Sequence, residues 1–238
     1  MRRTAVRRRA GRVAPKRASS PGVAATTRAE IVAIAQRMSS SGLSPGKSGN
    51  VSARIDGGML ITPTGLPYAE MRPADIVEMR LDGRVVPGQR VASSEWCVHL
   101  AIYKAREDVR AIVHTHSLNA TALSCLHRGI PAFHYMVAEA GGDEIACAPY
   151  ATYGTEELAR YTVKALGLRR ACLLANHGVV AAAGTLRKAY EMAAAVETLA
   201  AQYARALQLG RPKLLTAREM ARVIEKFKTY GKQPEVKK

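Results

Sequence analysis

Cysteine is scarce in this chain. Four residues among 238, Cys97, Cys125, Cys147 and Cys172, lie far apart with no C-x-x-C pair. That spacing argues against a disulfide framework and against a cysteine zinc knuckle, and suggests small core residues in a reducing compartment. Long apolar runs are also missing. Nothing approaches the roughly 18 residues of a membrane-spanning helix, and the N-terminus does not join a charged segment to the apolar core of a secretory signal. The expectation is a soluble, cytoplasmic protein without a membrane span. Acidic residues are absent from the first 28 positions, which hold nine of the 36 basic residues and so about half of the net charge of +17. A segment of Arg, Ala, Pro and Ser with isolated aliphatics cannot bury enough surface to offset its ordering entropy. A disordered basic extension is therefore expected over 1–23, a folded domain over 24–232 and a charged tail over 233–238. Such an extension is compatible with organelle targeting, with a nucleic-acid arm, or with plain solvation.

The 47% hydrophobic content is enough for one proper core. Thr27 and Glu30 form a capping box ahead of an amphipathic helix that stops at Gly42. Asp56-Gly57-Gly58 and Asp82-Gly83 each separate two short alternating runs, as hairpin turns do. A helix is expected from Ser94, a strand over "VRAIVHTH", a helix over "LNATALSCL", and two strands around Asn176-His177-Gly178. A long helix follows over 186–209, and a last one starts at Thr216, where Glu219 completes a second capping box. The pattern predicts a single α/β domain whose central sheet is mixed, mostly antiparallel and flanked by helices.

Two of the six histidines, His114 and His116, sit two residues apart within the run that reads as a buried strand. On a strand such residues point to one side, so both imidazoles converge on one place. They then either ligate a metal or hydrogen-bond within the core. A catalytic metal site needs a third ligand, and His177, beside the flexible Gly178 at a bend, is the best placed. His99, His127 and His134 have no spaced partner and read as structural residues. "PGKSGN" is no P-loop, because three residues rather than four separate Gly42 from Gly46 and a helix precedes them. Its Gly49-Asn50 turn, like the Thr64-Gly65 turn, serves either a hairpin or an anion. Ser93 and Ser94 stand at the mouth of a helix, where they act as an N-cap or as part of a phosphate seat, with Glu95 complementing the helix dipole.

Taken in order, "GNVSAR", "ITPTG", "SSEW", "VHTH", "FHYM", "NHG" and "EKFKTYG" resemble the class II aldolase and epimerase family, also known as aldolase class II and adducin, from about residue 25 to 232. The resemblance implies one Zn2+ per subunit on His114, His116 and His177, and a substrate phosphate among Gly49, Asn50, Thr64, Gly65, Ser93 and Ser94. It implies Glu95 as an acid/base that also touches the metal, Tyr135 as a proton donor and Tyr230 closing the pocket. It further implies a homotetramer with sites at subunit interfaces. The reaction implied is cleavage of L-fuculose 1-phosphate, or a related ketose 1-phosphate, to dihydroxyacetone phosphate and an aldehyde such as L-lactaldehyde. Two features depart from the family: Val91-Ala92 stand where a proline usually precedes the serines, and the basic extension has no counterpart. Glu95 and "ITPTG" favour the aldolases over the L-ribulose-5-phosphate 4-epimerases. A methylthioribulose-phosphate dehydratase and an adducin-like binding protein with a polyanion-binding tail are the other readings of the same resemblance.

Overall fold

The computed structural model of the chain describes residues 21–230. The tail expected at 233–238 and nearly all of the basic extension lie outside those residues. Helix α1 (Pro21–Ser40) starts ahead of the expected capping box, so Thr27 and Glu30 fall within the helix rather than at its cap. Proline is favoured in the first helical turn, and Ala24 and Ala25 carry the helix forward without a break. Strands β1 (Asn50–Ile55) and β2 (Gly58–Ile61) form the first hairpin, with Ile55 opposite Gly58. β3 (Val77–Arg80) pairs with β2, but the expected second arm gives only one bridge, Met79 to Val85. Pro87 follows at once, and a residue without an N–H cannot extend the ladder.

Helix α2 (Trp96–Ala105) begins later than expected, with Glu95 rather than Ser94 at its cap and no side-chain capping bond. β4 (Ala111–Thr115), α3 (Leu118–Ser124), a 3-10 stretch at Tyr135–Ala140 and β5 (Cys147–Ala148) follow. α4 (Glu156–Leu166) has no counterpart among the expected helices, although its signals are ordinary. Thr155 caps it, accepting from Leu158 N at 3.2 Å, two glutamates fill its first turn, and Gly167 ends it. β6 (Ala171–Leu174), β7 (Gly178–Ala183), α5 (Leu186–Leu209) and α6 (Ala217–Phe227) complete the chain, the last capped by Thr216.

The strands make one seven-stranded sheet in the order β3-β2-β1-β4-β7-β6-β5, antiparallel except between β5 and β6. Its two faces bury separate cores. Val51, Ala53, Val113 and Ala181 pack with α1 and α5 on one side, and Ile112, Cys172, Val180 and Ala182 with α2 and α4 on the other. β4 is buried along its whole length because both faces are covered. The fold is therefore three-layered, with the central strands β1, β4 and β7 held on all sides.

Candidate metal centre and anion seat

Alternation along β4 sends Ile112 and His114 to the α2 side of the sheet. His116 lies just past the strand's last residue, Thr115, in chain still extended enough for its ring to follow. Gly178 makes room for that ring: a Cβ there would sit 2.3 Å from Thr115 O and 3.0 Å from His116 Cδ2. The β6–β7 turn delivers His177, whose backbone N–H donates to Leu174 O and Ser124 Oγ. Gly49 has a similar role in front of β1. At φ +78° it lies so close that a Cβ would meet His114 O at 2.5 Å, which sets Asn50 directly opposite His114 in the sheet.

The three imidazoles form a propeller, with centroids 4.8, 4.8 and 4.9 Å apart and ring planes 73–77° to one another. Their nitrogens and a Glu95 carboxylate oxygen all lie within 4.8 Å. Glu95 Oε2 is 3.1 Å from His114 Nε2, and Oε1 is 3.1 Å from His177 Nε2. Burial opposes charge on Glu95, but His114 and His177 outweigh it and hold the carboxyl well below the usual carboxylate range. Burial likewise opposes charge on His114, yet Glu95 raises its pKa above that of an ordinary imidazole. His116 goes the other way: burial, then His114 and His177, push it down to about 3.

These neighbours provide a test of whether a metal fits. His114 Nδ1 donates to Val179 O at 2.8 Å, which in the neutral ring leaves Nε2 as a lone pair, and that nitrogen faces His116 Nε2 at 2.9 Å. Two lone pairs so close repel unless a cation or proton joins them. One divalent ion satisfies all three nitrogens, and the Nδ1–carbonyl bond fixes the tautomer for it. The donor set fits a metal.

Beside this cluster lies a cavity of about 370 Å³ bordered by Lys47, Gly49, Asn50, Thr64, Gly65, Ser93, Ser94, Glu95, His116 and His177. The chain past β2 runs antiparallel to 91–93, through Thr64 N to Val91 O and Ser93 N to Thr62 O, so the Thr64-Gly65 turn stands next to the serines. Val91 needs no proline to make that pairing. Tyr68 Oη secures the opposite rim by donating to Ser48 O and Gly49 O. Hydroxyls, a glycine turn and the start of α2 line this end of the cavity, groups whose chemistry suits an anion.

Tyr135 and Tyr230 are not among the cavity's lining residues. They border a separate groove of about 450 Å³ between the 3-10 stretch and α6, and are 51% and 78% exposed. Lys47, Tyr150 and Tyr153 also line the metal-site cavity; Lys47 lies in the stretch set aside as no P-loop, and the two tyrosines stand in no spaced motif. Of the histidines read as structural, His127 meets Asn176 Oδ1 at 2.5 Å beside the His177 turn, and His134 accepts from Met136 N. His99 is wholly buried, and burial, with His114 adding to it, pushes it down to about 3.

Comparison with known proteins bears on this geometry. Residues 29–204 match the family model described as the class II aldolase and adducin N-terminal domain. The chain is 49% identical over 211 residues to the 5-methylthioribulose-1-phosphate/5-deoxyribulose-1-phosphate aldolase of Rhodospirillum rubrum, covering 89% of this chain and 95% of that one. It is 46% identical over 203 residues to the L-fuculose phosphate aldolase of Escherichia coli, covering 85% and 94%. A solved L-fuculose 1-phosphate aldolase has the same fold with a TM-score of 0.84 at 41% identity, over 89% of this chain and 98% of that one. A match running through most of the chain, and shared with aldolases along nearly their full length, makes this chain a member of the class II aldolase and adducin family, a metal-dependent carbon–carbon lyase.

Proposed function

We propose that the protein cleaves a ketose 1-phosphate between C3 and C4, giving dihydroxyacetone phosphate and a short aldehyde. L-Fuculose 1-phosphate, which would yield L-lactaldehyde, is the leading substrate. A 5-deoxy- or 5-methylthioribulose 1-phosphate, yielding a two-carbon aldehyde or its methylthio derivative, is the other. The observation that carries the reading is the meeting of a three-imidazole cluster, an ionised carboxylate and an anion seat in one cavity.

Zinc, one ion per subunit on His114, His116 and His177, is the metal that three imidazoles and an open position suit best. When bound, it supplies a Lewis acid to the ketone and the adjacent hydroxyl. Gly49, Asn50, Thr64, Gly65, Ser93 and Ser94 hold the phosphate, and Lys47, which has no ion-pair partner among the described residues, adds the positive charge. Anchoring that remote group holds the reacting carbons in place beside Glu95. As the C3–C4 bond breaks, the C4 hydroxyl proton passes to the ionised Glu95 carboxylate, which returns it to C3 of the enediolate, while the Tyr135 hydroxyl of a neighbouring subunit donates a hydrogen bond to the aldehyde oxygen that it protonates in the reverse reaction. Tyr230 of the same neighbour closes the pocket. A positioned acid/base contributes only ~10²–10⁴-fold, whereas enzymes reach at least ~10⁶-fold, so charge stabilisation at the cluster and anchoring at the seat supply the rest.

A homotetramer is part of this reading, since both tyrosines border a groove distinct from their own chain's metal cavity. The activity is assigned to residues 24–232, because every group named lies between Lys47 and Tyr230. A cytoplasmic site of action follows from the substrate, because a phosphorylated sugar does not cross membranes unaided.

The test is bound metal by elemental analysis together with dihydroxyacetone phosphate release from the two ketose 1-phosphates, with L-ribulose 5-phosphate included for epimerisation. Stoichiometric zinc with zinc-dependent cleavage is expected, and His116→Ala should lose both metal and activity. Zinc with pentulose epimerisation and no cleavage, or full cleavage by His116→Ala without metal, would sink the proposal.

A further inference from the structure

Behind the metal cluster runs a single file of buried hydrogen bonds. Asn50 Nδ2 donates to Glu95 Oε2 at 2.9 Å, and Asn50 Oδ1 lies 2.5 Å from His99 Nε2. His99 Nδ1 lies 2.6 Å from Ser52 Oγ, which is 2.8 Å from Tyr103 Oη. No member is more than 7% exposed. β1 places Asn50 and Ser52 on the face toward α2, and α2 carries Glu95 at its cap, then His99 and Tyr103 one and two turns on.

The carboxylate at one end fixes every proton along the file. Ionised Glu95 only accepts, so Asn50 must turn its amide nitrogen toward it and its oxygen toward His99. That oxygen also only accepts, so the His99 proton sits on Nε2. Neutral His99 has no second proton, so Nδ1 accepts from the Ser52 hydroxyl, which in turn accepts from Tyr103. All four bonds point toward Glu95. Remove His99, and Asn50 Oδ1 is left buried without its donor; the amide, then held at the Glu95 end alone, is free to swing toward another partner and no longer fixes the direction of the carboxylate.

We propose that His99 is a positioning residue for the reaction: through Asn50 it holds the Glu95 carboxylate in the orientation that serves the substrate. A buried imidazole with two partners is a costly way to fill a helix–sheet gap that leucine would fill, and the chain spends a tyrosine and a serine orienting it. The inference rests on the aldolase reading.

The test uses full-length, zinc-loaded protein. His99→Gln keeps a side-chain N–H near the place of Nε2, whereas His99→Asn is too short and His99→Leu has none. In the Asn and Leu variants kcat for ketose 1-phosphate cleavage is expected to fall roughly 10- to 100-fold, as when groups that orient a metal site's residues are removed. KM should stay within about threefold, because Gly49, Thr64, Gly65, Ser93, Ser94 and Lys47 still hold the phosphate when Asn50 shifts. The Gln variant should recover most of the loss, and the Gln and Asn pair decides the matter if the Leu variant does not fold. Side-chain 15N NMR of the wild type supplies a readout other than activity: His99 neutral, with its proton on Nε2. Equal losses in the Gln and Asn variants, undiminished kcat in the Asn variant, or a proton on Nδ1 would overturn the inference alone. A wild type that cleaves no ketose phosphate overturns the aldolase reading and the catalytic part of this inference together.

Discussion

Glu95 sits between two imidazoles and an amide. His114 and His177 keep it ionised and each meets one of its oxygens, and Asn50 donates to Oε2 as well. Glu95→Gln should therefore retain bound zinc while kcat falls ~10²–10⁴-fold, the share of a positioned acid/base, as elemental analysis and a dihydroxyacetone phosphate assay would show. Lys47 faces the same cavity from an exposed turn. For Lys47→Ala, KM for a ketose 1-phosphate is expected to rise about three- to tenfold with kcat little changed, a gap that added salt narrows because an exposed charge is screened. At this scale the sequence was legible where chemistry followed a short period: His114 and His116 converge because alternate residues share a strand face. Asn50, Ser52 and His99 meet only through the packing of α2 on β1, and no spacing of residues announces that contact.

Elements reach the site through caps. Helix α3 follows His116 directly, yet Ser117 at its cap makes no side-chain capping bond. The cap comes instead from α5: Glu197 accepts from the backbone N–H groups of Asn119 and Ala120 at 2.9 Å and from Asn119 Nδ2 at 2.8 Å. A carboxylate at a helix N-terminus also meets the positive end of the dipole. Glu197→Ala should cost about 1–2 kcal/mol, as a lost cap does, and lower Tm by roughly 2–6 °C in thermal denaturation followed by circular dichroism. Local signals worked where the cap and the helix adjoin, as at Thr216 before α6. They misplaced the start of α1, where Pro21 rather than Thr27 opens the helix. They also misplaced the start of α2, because the first charged side chain, Glu95, faces the histidines instead of its own helix end.

For the molecule as a whole, the two tyrosines border a groove apart from the metal cavity, and under the proposed mechanism an active assembly draws each site from two chains. Mixing inactive His116→Ala subunits with impaired Tyr135→Phe subunits, after partial dissociation and reassembly, should restore activity above the sum of the parents, because some sites then combine an intact cluster with an intact tyrosine. Mixtures that merely average the parents would place the tyrosines in their own chain's chemistry. The sheet's mixed architecture was readable from its strand and turn signals, whereas the order that sets β4 between β1 and β7 came only from tertiary pairing. That order has a consequence for how the protein comes to life in a cell. One imidazole, His114, extends from a strand zipped on both sides by backbone bonds and covered by apolar layers on both faces, while His116 stands one residue past that strand and His177 one residue ahead of its neighbour β7. The frame around the cluster is held by these bonds and layers rather than by its imidazoles. If the ion is zinc, as proposed, zinc starvation would then leave folded, idle protein, a reserve that a returning supply would switch on without new synthesis.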